Sequence, residues 1–106
     1  MNVTTIHHES GLVLRPGSEH LDQSNARAFK DRSVASLSGE QHLFIDLSAV
    51  TYIDSAGLGA LVAIFKNLGE GGRMSIVSPH RNVRTLIEIT RLDSIFSLLD
   101  RLPEAP

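Results

Sequence analysis

Apolar residues along this chain fall into short separated groups, some with the spacing of strands and some with that of helices. Val3 to Ile6 and Leu12 to Arg15 are β-prone, and Glu9-Ser10-Gly11 between them is short enough for a hairpin turn, which predicts an antiparallel pair. Pro16 and Gly17 close the second strand. Asp22 or Ser24 can cap a helix whose inward side carries Ala26, Phe29, Val34 and Leu37 and which ends at Ser38-Gly39. His42 to Leu47 reads as a strand and is followed by a loop with Val50 and Tyr52. The pattern turns helical from Ala56 to about Leu68, with Gly69, Gly71 and Gly72 as the stop. Arg73 to Val77 is again strand-like. Ser78-Pro79 reads as a cap and first-turn proline for a helix that buries Val83, Leu86, Ile87 and Thr90.

The order β-β-α-β-α-β-α predicts an α/β domain with a mixed sheet of four to five strands, the first antiparallel and the rest parallel. Right-handed crossovers between neighbouring strands place the helices mainly on one face. Leu12, Leu14, Leu43, Ile45, Leu47, Met74 and Ile76 are then expected to face the helices. Val13, Arg15, Phe44, Asp46, Ser75 and Val77 point the other way, and their part-polar character predicts a face only partly covered. The whole chain, 1–106, reads as one domain with an ordered core over about 3–100. Ile95 to Leu99 is apolar enough to pack, but Pro103 and Pro106 bracket too little chain for a closing helix, and 101–106 is expected to fray.

Composition narrows the function. The 106 residues make one compact domain rather than two, and a net charge of −2 from scattered charges offers no footprint for nucleic acid. The absence of cysteine removes disulfides, thiolate catalysis and Cys-ligated metal, and suits a cytoplasmic location. The longest mainly apolar stretch, Ile53 to Phe65, is interrupted by Asp54, Ser55 and two glycines, so no membrane insertion is expected.

The chemistry concentrates in "YIDSAGLGAL", residues 52 to 61. As a nucleophile Ser55 needs a base, yet only His20 and His80 fall at the strand-to-helix end of the domain, and Ile53 and Asp54 break the G-x-S-x-G elbow. Ala56-Gly57-Leu58-Gly59 opens a helix without a following lysine or either nucleotide-binding glycine spacing, so no cofactor is expected. Asp22, Asp46 and Asp54 can reach one edge but follow no metal-ligand spacing, and no metal site is expected. Ser55 itself suits a helix N-cap, with its Oγ accepting from the N–H of Gly57 or Leu58. On the helical wheel Leu58, Leu61, Val62, Phe65 and Leu68 form the core side. The opposite side runs Gly59, Ala60, Ala63, Lys66, Asn67 and Glu70, small at first and polar later, which is open to two readings: a docking surface or a merely crowded helix start. A phosphoryl group on Ser55 would add about −1.5 to −2 charge beside Asp54.

"DLSAVTYIDSAGLGAL" resembles the signature of the STAS domain as found in anti-sigma factor antagonists, in which a strand ending D-L leads to D-S-x-G-L-G at the head of a helix. "LDQSNARAFKD", "GGRMSIVSP" and "VRTLIEITRLDSIFSLLD" are similar to the family's first helix entry, fourth strand and following helix and tail. The resemblance implies a non-enzymatic partner switch. Unphosphorylated, the protein would bind an anti-sigma factor that is itself a serine kinase of the histidine-kinase-like ATPase fold. Phosphorylation of Ser55 would release it, and a PP2C-type phosphatase would reset it. The implied partner surface comprises Asp22, Asp54, Ser55, Ala56, Gly57, Leu58, Gly59, Ala60 and Ala63 on a monomer or weak dimer, with Gly57 and Gly59 giving a partner's backbone clearance. The run from Gly17 to Asp22 departs from the family pattern through Ser18, Glu19, His20 and Leu21, which implies a longer loop there. Two other functions fit parts of the pattern: an unphosphorylated STAS subunit of a lipid-trafficking ABC complex at a membrane, and a small hydrolase using Ser55.

Overall fold

A computed structural model describes residues 1–103. Five strands form the main sheet: β1 (Val3–His8), β2 (Gly11–Pro16), β4 (His42–Asp46), β6 (Arg73–Val77) and β7 (Ser97–Leu99), in that spatial order. β1 runs antiparallel to β2, and every other neighbouring pair is parallel. The helices are α1 (Ala26–Ala35), α2 (Ser55–Lys66) and α3 (Arg81–Ile89). Two short strands, β3 (His20–Leu21) and β5 (Tyr52–Ile53), pair parallel as a separate ribbon.

The main core lies between sheet and helices. Leu12, Leu14, Leu43, Ile45, Met74 and Ile76 from the strands join Phe29, Leu61, Ile64, Val83 and Ile87 from the helices. This is the division of faces that the alternation of strand residues dictates. On α1 the fully buried positions are Ala26, Phe29 and Ser33, while Val34 and Leu37 pack only partly against the core.

The other face of the sheet differs from expectation. Val13, Phe44 and Val77 are essentially inaccessible and form a second small core with Leu99 and Leu102. Their polar neighbours pair with one another. Arg15 Nε donates to Asp46 Oδ2 at 2.9 Å, His42 Nε2 lies 2.7 Å from Ser75 Oγ, and the His42 ring stacks on Phe44 with centroids 4.1 Å apart. Burial pushes the Asp46 carboxyl up, but hydrogen bonds from Ser48 and the Arg15 guanidinium outweigh it and hold the group below its usual range.

The segment after α3 forms a single 3-10 turn, Leu92–Ser94, and then β7, so the sheet gains its fifth strand where no closing helix fits. Phe96 sits in the main core, edge-on to Phe65 with centroids 5.9 Å apart. Ser78 is not the cap of α3. It has φ +53°, its N–H donates to Leu99 O and its hydroxyl to Asp100 O, and the helix begins after His80. These bonds tie the end of β6 to the strand beside it. Of the stretch expected to fray, residues 104–106 lie outside the described residues.

Candidate functional site

The site is assembled at the C-terminal ends of β2, β4 and β6, where the chain leaves the parallel strands for the helices. Its base is the β3–β5 ribbon. The N–H groups of Thr51 and Tyr52 donate to Glu19 O and that of Asp54 to Leu21 O, so the loop entering α1 lies alongside the loop entering α2. A third element braces the second loop from the side. His80 Nε2 is 2.7 Å from Ser48 O, and Asn82 Nδ2 donates to Thr51 O.

The N-cap of α2 is Asp54 and not Ser55, which the sequence pattern had suggested, because the helix begins one residue earlier than expected and Ser55 lies inside its first turn. Asp54 Oδ1 accepts from Gly57 N–H at 3.0 Å and its Oδ2 from Gln23 N–H at 3.1 Å. One carboxylate therefore satisfies a free donor of the helix start and fastens the α1 loop to it. Asp22, one residue before Gln23, turns its own loop. Its Oδ1 accepts from the hydroxyl of Ser24 at 2.6 Å and from the Ser24 N–H at 2.9 Å, and these bonds, with His20 nearby, hold its carboxyl below the usual range. Neither Asp22 nor Ser24 caps α1 as the sequence suggested: the helix starts after Asn25, whose Oδ1 accepts from Asp22 N–H, and the Asp22 carboxylate is taken up by Ser24.

With Asp54 as cap, Ser55 becomes the first residue of α2 and is exposed. The two glycines after it have opposite environments. A Cβ on Gly57 would lie 2.2 Å from Leu21 O and 2.6 Å from a methylene of Ile53, so its lack of a side chain is required by the packing of α2 on the ribbon. A Cβ on Gly59 would meet nothing within 4 Å. Leu58 and Ala60 are also buried, whereas Ala56 and Ala63 are half-buried along a groove of about 430 Å³ between α1 and α2. Gln23 from the loop before α1, with Arg27 and Lys30 from α1, forms the opposite wall of that groove.

Asp22 and Asp54 thus come together across the ribbon, and Asp46 does not join them because it is bound to Arg15 on the sheet's other face. Among the described residues no three His, Asp or Glu side chains gather as they would around a metal ion. The two histidines at this end are engaged elsewhere, His80 with Ser48 O and His20 with Ser18, Ser24 and Asp22. The sequence reading missed the ribbon and the brace from His80 and Asn82. Two-residue strands carry no periodic pattern, and a side-chain bond to a loop carbonyl leaves no trace in spacing.

A family model described as "STAS domain" matches residues 2–105. The chain belongs to the STAS domain family. The STAS match spans the ribbon, the caps and Ser55 alike. A candidate anti-sigma factor antagonist of Thermotoga maritima is 35% identical over 97 residues, covering 89% of this chain and 85% of that protein. The anti-sigma-F factor antagonist RsfB of Mycobacterium tuberculosis is 30% identical, covering 99% and 86%. The STAS fold is shared with the Bacillus anti-sigma factor antagonist SpoIIAA. Its unphosphorylated form superposes with a TM-score of 0.73 at 15% identity over 92% of this chain and 87% of that one, and its phosphorylated form with 0.65 at 13% over 92% and 90%. Among the described residues no helix is long and apolar enough to cross a membrane.

Proposed function

We propose that this STAS domain is an anti-sigma factor antagonist without catalytic activity of its own, switched by phosphorylation of Ser55. The observation that carries the proposal is an exposed serine at the head of α2, held between a fixed carboxylate, Asp54, and an open position, Gly59. The partner is an anti-sigma factor with serine kinase activity of the histidine-kinase-like ATPase fold, and a PP2C-type phosphatase reverses the modification.

Each part has a physical reason. A kinase reaches Ser55 because the side chain is on the surface and because Asp54, not Ser55, does the capping. A partner packs closely over Ser55, Ala56, Gly59 and Ala63, with Asp22 and Asp54 at the border. Gly57, Leu58 and Ala60 act from beneath by fixing the helix on the ribbon and on α1. The phosphoryl group adds charge where Asp54 is already negative, so a surface complementary to the unmodified site rejects the modified one. The helix start steadies the phosphate without removing that repulsion.

The test uses ATP with a cognate kinase, mass spectrometric mapping, and binding measurements on Ser55→Ala and Ser55→Asp. Phosphate on Ser55, retained binding by Ser55→Ala and binding at least about tenfold weaker for Ser55→Asp are expected. Absence of modification at Ser55 in cells and in vitro refutes the switch, and equal affinity of the two variants refutes the charge argument.

A further inference from the structure

We infer that the free edge of β1 is a self-association surface on which a second copy of this chain pairs antiparallel about a two-fold axis. Among the described residues β1 is the last strand on its side of the sheet, and Thr4, Thr5, Ile6 and His7 are exposed. The direction of its backbone groups follows from the ladder. Gly17 N–H donates to Asn2 O, which makes Asn2 and Gly17 a hydrogen-bonded pair. In an antiparallel ladder bonded and non-bonded pairs alternate. Thr4–Arg15, Ile6–Val13 and His8–Gly11 are therefore bonded to β2. Val3, Thr5 and His7 aim their N–H and C=O groups away from it, consistent with Val3 lying opposite Pro16, which has no N–H to give.

A two-fold axis through Thr5 uses all three outward residues. Thr5 meets the partner's Thr5, Val3 meets the partner's His7, and His7 meets the partner's Val3. Each bonded pair exchanges two hydrogen bonds, so about six close across the junction. The same register sets Ile6 opposite the partner's Thr4, covering one of the few large apolar side chains exposed among the described residues, and brings the two Thr5 side chains together.

The usual protections of an edge strand are absent from β1. It contains no lysine, arginine, carboxylate or proline, and its register against β2 is unbroken by a bulge from Val3 to His8. The opposite edge is blunt by comparison, since β7 has three residues. A six-residue junction buries much less than a stable interface of about 1,000 Å² or more, so the dimer is weak and concentration-dependent. This inference stands whether or not Ser55 is phosphorylated.

Sedimentation velocity of the whole chain from about 10 μM to about 1 mM measures the association, and amide hydrogen exchange at both ends of that range locates it. Expected are a dimer fraction that rises with concentration and protection gained at the amides of Val3, Thr5 and His7 but not at those of Thr4, Ile6 and His8. Thr5→Pro removes an outward N–H without touching a bond to β2, and Thr5→Lys sets like charges opposite each other with the backbone intact. Each is expected to weaken association at least about tenfold. Circular dichroism checks that both variants fold, and Thr5→Lys carries the test if Thr5→Pro does not. A monomer throughout the range, or a dimer indifferent to Thr5→Lys, or one that forms without protection at those three amides, overturns the inference.

Discussion

The two sides of the first turn of α2 are built from the same small residues and obey opposite rules. On the inner side Gly57 is pressed against Leu21 O and Ile53, and Asp54 holds both its N–H and that of Gln23. On the outer side Ser55 is exposed and Gly59 faces open space. The contrast separates what makes the site from what uses it. Rigidity comes from the inner residues, and the outer ones are free to meet a partner because nothing in the fold depends on their side chains.

The sharpest way to break this contrast is to add the same methyl group on each side. Gly57→Ala is expected to cost about 3 kcal/mol, the upper part of the range for overpacking, because the obstacle is backbone rather than a flexible side chain. Gly59→Ala is expected to stabilise by about 0.5–1 kcal/mol through helix propensity while weakening partner binding. Urea unfolding of the two variants measures both signs, and a similar loss of stability for each would erase the distinction.

Asp54→Ala comes next. It removes a cap and the fastening to Gln23, so a loss of about 1–2 kcal/mol in urea unfolding is expected, with increased amide exchange at Gln23 and Gly57. If exchange rises at Gly57 alone, the carboxylate caps α2 without joining the loops.

The smallest effect lies on the other face of the sheet and serves as a control. Burial, and then the nearby Arg73 charge, lower the pKa of His42 from its ordinary value of 6.5. The unfolded chain therefore takes up this proton first as pH falls, so the stability due to neutral His42 is complete above about 6.5 and is lost as pH falls from there through the folded-state value. Unfolding midpoints measured from pH 7.5 downward are expected to fall less steeply in His42→Gln than in the parent. Equal slopes would remove His42 from the account.

Legibility varied with the range of the interaction. The strands β1, β2, β4 and β6, the three helices and the inward residues Leu12, Leu14, Leu43, Ile45, Met74 and Ile76 could be read from alternation and helical spacing, because each pattern lies within a few residues. Ser78 was misread as a cap because Ser-Pro has that local form, whereas its left-handed backbone is stabilised by Leu99 and Asp100, about twenty residues away. The buried second face was misread for a related reason. Arg15, Asp46, His42 and Ser75 look like solvent-facing residues one at a time and become core-compatible only as pairs from different strands.

By itself the sequence determined the α/β order, the division of the strands into faces, and the place of Ser55 at the head of a helix, since all three follow from local periodicity and turn chemistry. Only the tertiary structure decided that Asp54 rather than Ser55 is the cap, that Gly57 serves packing while Gly59 is open, and that β3 and β5 bring Asp22 and Asp54 together. The cap is a local bond from Gly57 N–H, and what reaches farther is the second bond of the same carboxylate, from Gln23 N–H. The crowding of Gly57 by Leu21 O and the pairing of β3 with β5 likewise depend on backbone groups more than thirty residues distant in the chain, and such partners leave no mark on the spacing of side chains.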